Sequence, residues 1–104
     1  ISFDFIIYEM KLPIPTAIKI DIDGNELLVL KGANKLLKEK NLKKIIIEVD
    51  FNMVESSKEI LDILKKNGFD HIKSDNFGKN MKMMEFERND KNIKNENNNY
   101  KKID

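Results

Sequence analysis

Apolar side chains change their spacing repeatedly along residues 1–88, and each change predicts an element. Phe3, Ile6, Ile7 and Met10 share one face of a short helix that Ser2 can cap. Leu12-Pro13-Ile14-Pro15 must run extended, so that helix ends near Lys11. The β-branched run Ala17-Ile18-Lys19-Ile20-Asp21-Ile22 predicts a strand, closed by the turn dipeptide Asp23-Gly24. Leu27, Leu30 and Leu37 follow at helical spacing with Gly32 inside the pattern, which predicts two short helical pieces instead of one helix. Lys44-Ile45-Ile46-Ile47-Glu48-Val49 is apolar at consecutive positions, as a strand covered on both faces should be. Ser56 and Glu59 match a capping box ahead of the helical face Ile60, Ile63 and Leu64, with Lys65, Lys66 and Gly68 at its end. Residues 69–75 and 81–88 predict two more strands joined through Asn76-Phe77-Gly78-Lys79.

Strands alternating with helices predict an α/β fold with a mostly parallel sheet, and the last two strands add an antiparallel hairpin. Such a sheet places its ligand site at the carboxyl ends of its strands. Asp21, Asp23 and Glu26 follow the first predicted strand, and Glu48 and Asp50 end the second, so five carboxylates are expected along one edge.

Composition narrows the picture by exclusion. A chain of 104 residues carries at most one modest core, burying about 60–65% of the surface its unfolded form exposes. The net charge of +1 gives no general attraction for nucleic acid or anionic membrane. The absence of cysteine removes disulfides, thiolate metal sites and a thiol nucleophile, and a cytoplasmic setting is expected. No apolar run approaches the roughly 20 residues of a membrane helix. Residues 89–104 are nearly all Asn, Lys and acid, with Ile93, Tyr100 and Ile103 as their only apolar side chains, which predicts a disordered tail beyond a folded body of residues 1–88. The chain opens on Ile1, so it is expected to be the later part of a longer product.

The carboxylates each carry a plain reading beside a functional one. Glu26 at a helix start is stabilising without any ligand. Asp21 and Asp23 project the same way only if the strand continues that far, and otherwise belong to an ordinary polar turn. Glu48, an acid inside an isoleucine run, either reaches the strand tip and a ligand or pairs with a lysine such as Lys19. His71, the only histidine, has no nucleophile pattern around it and reads as a strand residue; Met81, Met83 and Met84 read as core filler. Neither a G-x-G-x-x-G turn nor a P-loop is present.

Ile18-Lys19-Ile20-Asp21-Ile22-Asp23-Gly24-Asn25-Glu26, continued by Leu30-Lys31-Gly32-Ala33, resembles the signature of the FkbM family of S-adenosylmethionine-dependent methyltransferases, approximately K-[IV]-D-[VI]-E-G-x-E-x-x-V-L-x-G-A. Lys19, Asp21, Gly24, Glu26, Val29, Leu30, Gly32 and Ala33 fall in register, and Asp23 stands where the family usually has Glu. Ser2-Phe3-Asp4-Phe5-Ile6-Ile7 resembles the segment that precedes this signature, and Ile46-Ile47-Glu48-Val49 the acid-tipped strand that follows it. The resemblance covers roughly residues 1–87. It implies the C-terminal part of a Rossmann-like class I methyltransferase sheet, whose fourth to seventh strands these would be, the last inserted antiparallel between the fifth and sixth. It further implies S-adenosylmethionine as cofactor and methyl transfer to a hydroxyl of a small-molecule, sugar or lipid-type acceptor. Asp21, Glu26 and Glu48 would be the catalytic residues, and Asp21 and Asp23 would touch the cofactor; no metal is implied.

The segment alone, lacking the Gly-rich cofactor loop, is expected to be inactive and to associate with a second copy through an exposed sheet edge. Two other functions stay open. Asp21-Ile22-Asp23 also resembles the D-x-D of metal-dependent glycosyltransferases, and a truncated half-domain can serve as a non-catalytic interaction module.

Overall fold

A computed structural model describes residues 1–89 of the chain. The tail expected over residues 89–104 lies, from residue 90 onward, outside the described residues. An N-terminal helical turn (Phe5–Glu9) leads to β1 (Ala17–Ile20), α1 (Glu26–Lys31), a 3-10 turn (Leu36–Lys38), β2 (Lys44–Asp50), α2 (Val54–Lys66), β3 (Phe69–Gly78) and β4 (Met81–Arg88). The four strands form one sheet in the order β1-β2-β4-β3.

This sheet is mixed, which corrects the mostly parallel expectation. β1 and β2 pair in parallel, whereas β4 lies antiparallel to both β2 and β3. The reason is topological: α1 carries β1 to its neighbour β2, but the strand that follows α2 is set one place further out, and the hairpin brings β4 back into the gap.

One face of the sheet carries the core. Ile45, Ile47 and Val49 of β2 are fully buried, joined by Ile18, Ile20, Met84 and Phe86 from its neighbours and by Leu30, Ile60 and Leu64 from the helices. Each such side chain contributes on the order of 1.5–3 kcal/mol by leaving water. Ile46, on the other face, is only half-buried, so the double cover expected of β2 is incomplete among the described residues.

The helical breaks have local causes. The N-terminal turn is π-helical, with the Ser2 hydroxyl accepting the Phe5 N–H at 3.0 Å as expected of a cap. Wider winding shifts its faces, so Ile7 is buried while Met10, expected on the same face, is 60% exposed. α1 stops at Gly32, as the spacing predicts, yet more than helix propensity requires this glycine: a Cβ there would meet the Ser2 Cβ at 2.8 Å. The close approach lets the Asp4 N–H donate to the Gly32 carbonyl at 3.0 Å. The Asp4 carboxylate in turn accepts the N–H groups of Lys35 (2.8 Å) and Leu36 (3.0 Å), capping the 3-10 turn.

Three boundaries differ from the sequence reading. β1 ends at Ile20 instead of Ile22, because Asp23 (φ 43°) and Gly24 (φ 94°) turn the chain through the left-handed region. α2 begins at Val54, before the expected capping box; the Ser57 hydroxyl donates back to the Val54 carbonyl, and Glu59 pairs instead with Lys31 of α1 at 3.0 Å. The turn ahead of α2 is held by the Asp50 carboxylate, which accepts the Asn52 backbone N–H at 2.9 Å, so the helix starts sooner. β3 runs to Gly78, and the hairpin closes at Lys79-Asn80 with Asn80 at φ 60°.

Arg88 fastens the end of β4. Its guanidinium donates to the carbonyls of Leu37 (2.7 Å), Leu42 (2.8 Å) and Asn67 (3.1 Å) and lies 4.4 Å from the centre of the Phe69 ring. One side chain thus ties the 3-10 turn, the entry to β2 and the end of α2 together.

Candidate functional site

The parallel register sets the site. Ile18 pairs with Ile45 and Ile20 with Ile47, so the next residues, Asp21 and Glu48, arrive side by side at the carboxyl ends of β1 and β2. Alternation sends both side chains to the face opposite the isoleucine core. Asp23 comes back to them through the left-handed turn, and one carboxylate oxygen each from Asp21, Asp23 and Glu48 lies within 4.8 Å of the others.

Glu48 is 8% exposed, while Asp21 and Asp23 are open to solvent. Among the described residues Glu48 has no ion pair, so the alternative of a Lys19 partner is set aside. Its partner is another acid. The Asp21 carboxyl stands within hydrogen-bonding reach of Glu48, an interaction that forms when Glu48 holds a proton. That hydrogen bond, then burial, then the charges of Asp21, Glu26 and Asp23 push Glu48 up to about 7 from its ordinary 4.5. Glu48 is thereby an acid or base poised near neutrality at a strand tip.

Glu26 is also buried, at 6% exposed, but is used differently. Both of its oxygens accept backbone N–H groups at 3.0 Å, Oε2 from Ile22 and Oε1 from Gly24. Asp50, the fifth acid expected on this edge, is spent on Asn52, whose side-chain and backbone nitrogens both donate to it. Three of the five carboxylates therefore gather, one braces their turn, and one builds a loop elsewhere.

Beside the cluster, β1 pairs on one side only among the described residues, and a groove of about 520 Å³ follows its open edge. Its walls include Phe3, Ile6, Ile20 and Leu28, with Lys19, Asp21 and Asn25 as polar lining. Sequence periodicity did not reveal this groove, because its walls come from the N-terminal turn, β1 and α1 together. His71 is exposed, its ring 5.5 Å from that of Phe86 and remote in the sheet from the acids, in keeping with its reading as a strand residue. No helix among the described residues is long and apolar enough to cross a membrane.

The model of the methyltransferase FkbM domain matches residues 1–70. The chain belongs to the FkbM methyltransferase family. No curated protein and no solved structure matches it. The FkbM match ends as β3 begins, so it takes in every residue of the acidic cluster and leaves most of the hairpin outside. FkbM signature positions acquire physical roles here: Asp21 meets Glu48, Gly24 permits the turn, Glu26 closes it, and Gly32 admits Ser2.

Proposed function

We propose that this chain carries the acceptor-side acids of an S-adenosylmethionine-dependent O-methyltransferase acting on a small-molecule hydroxyl. The observation that carries the reading is the meeting of Asp21 with a buried Glu48 at the tips of adjacent parallel strands in an FkbM chain. In this reading β1 and β2 are the fourth and fifth strands of a Rossmann-like sheet and β3 and β4 the sixth and seventh. The open edge of β1 then receives the strand that bears the glycine-rich cofactor turn, a motif these 104 residues do not contain.

The residues fit the cofactor in part. The groove's apolar walls suit an adenosine, and the carboxylates of Asp21 and Asp23 suit cationic sulfonium and ammonium groups. When bound, the cofactor supplies an electrophilic methyl carbon. The protein's own task is the proton: as the sulfur–methyl bond breaks and leaves its electron pair on sulfur, the acceptor oxygen would bond the methyl carbon and its O–H proton would pass to the ionised Glu48 carboxylate beside Asp21. A Glu48 carboxyl poised near neutrality does this without needing high pH.

Calorimetric titration of S-adenosylhomocysteine into this chain, and into a longer polypeptide with a glycine-rich cofactor strand ahead of it, tests the assignment. Binding is expected in the longer form. There, Asp21→Asn should lower methyl transfer by about a hundredfold, in the range typical for losing a general base; turnover within twofold of the parent would refute the role. The gathering of three carboxylate oxygens within 4.8 Å of one another favours a second reading, a metal-dependent glycosyltransferase. Manganese-dependent binding of a nucleotide sugar, with none of S-adenosylhomocysteine, would establish that reading instead.

A further inference from the structure

We infer that Glu26 is a positioning residue: its carboxylate closes the turn after β1 and so aims Asp23 at Asp21 and Glu48, without itself meeting the acceptor. The inference rests on the methyltransferase reading only for what the finished site acts on; its geometry stands apart from that reading.

β1 stops at Ile20, and the chain has five residues in which to reverse before α1 begins at Glu26. Asp23 sits at φ 43°, a left-handed conformation that Asp tolerates better than most non-glycine residues but that neighbouring bonds must still hold in place of a strand. The support is placed on both sides of it. The N–H of Ile22, one residue before, and that of Gly24, one residue after, donate to the two oxygens of the same Glu26 carboxylate, each at 3.0 Å. The Asn25 N–H adds a bond to the Ile22 carbonyl at 3.2 Å. Glu26 is 6% exposed and each of its oxygens is held by a backbone N–H, so burial turns the carboxylate toward the turn and away from a substrate. An acid at the first position of a helix ordinarily favours the helix dipole. This one reaches backward to the preceding turn, which helix stability alone does not require.

Backbone amide hydrogen exchange of Glu26→Gln and Glu26→Ala, read by NMR in the complete chain, tests the inference. Glu26→Gln offers one acceptor oxygen and should expose one of the Ile22 and Gly24 amides. Glu26→Ala should speed exchange at both by at least tenfold while the Ile45 and Ile47 amides stay protected, which also controls for folding. Unchanged exchange at Ile22 and Gly24 in both variants would overturn the role. A second readout separates position from charge: the carboxyl titration of Glu48, faced by Asp21, Asp23 and Glu26, should move further from its parent midpoint in Glu26→Ala than in Glu26→Gln. Equal movement would mean that Glu26 acts by charge alone and would overturn positioning. Failure of the longer polypeptide to transfer methyl groups, with these exchange results intact, would sink the methyltransferase reading and leave the positioning role standing.

Discussion

The two ends of the β2–β4 pair each place a charged side chain against the protein, and they treat it in opposite ways. At one end Arg88 donates to three carbonyls and lies over the Phe69 ring. At the other, Glu48 is buried with Asp21, Asp23 and Glu26 as its charged neighbours, and its carboxyl is pushed up to about 7. A satisfied charge stabilises the fold it joins, whereas a charge left among like charges costs stability and is retained where chemistry uses it. The contrast teaches where to look for function in a small α/β domain: at the polar cluster that packing has left in conflict.

Breaking the satisfied end should have the largest effect. Arg88→Met keeps an apolar stem over Phe69 but strands three carbonyl acceptors, and it should cost about 2–4 kcal/mol in denaturant unfolding. Such a loss is a large share of the stability expected for a domain of this size.

The conflicted end should respond to pH. Because the Glu48 carboxyl is raised from 4.5 to about 7 on folding, the folded state binds the proton more tightly than the unfolded one. Its contribution to stability is thus fully present below about pH 4.5 and is lost as pH rises to about 7. Glu48→Gln should remove that decline, leaving the variant more stable than the parent at pH 8; thermal unfolding between pH 4 and 8 measures it. A parent whose stability rose across this window would contradict the raised Glu48 carboxyl.

Gly32→Ala tests the docking of the two FkbM segments. An alanine at this helix end would ordinarily help by reducing unfolded-state freedom, but here its Cβ meets Ser2 at 2.8 Å. The clash should win by about 1 kcal/mol and raise hydrogen exchange at the Asp4, Lys35 and Leu36 amides.

The smallest effect is expected at His71. His71→Ala should change stability by less than about 0.5 kcal/mol and leave the pH dependence between 4.5 and 7 intact, since the residue is exposed and touches only Phe86 among the rings. Loss of that pH dependence in this variant would reassign the titration from Glu48 to the histidine.

The site was legible in outline because its acids interrupt β-branched runs, and an acid there has few places to go. Legibility failed at boundaries. The Ser56–Glu59 capping box is a sound local motif, yet Asp50 and Asn52 start α2 earlier because their turn is also tied to the hairpin: the Asn52 side chain donates to the Lys79 carbonyl at 2.9 Å, and Phe51 N–H to the Asn80 carbonyl at 2.8 Å. Those partners are distant in sequence, so no local pattern announces them. Glu26 illustrates the same limit, since its spacing suited a helix start and gave no hint that both oxygens face backward.

Periodicity and turn chemistry determined the order of elements and the break at Gly32, and the residues around Asp21 carried the FkbM resemblance, because each depends on neighbours within a few residues. The antiparallel insertion of β4 between β2 and β3 was already implied by the FkbM resemblance, whereas tertiary structure alone decided that Glu48 meets Asp21 in place of Lys19 and that a groove lies beside β1. Those depend on strand register and on segments that meet only after folding, and a register one residue away would have sent Glu48 into the isoleucine core.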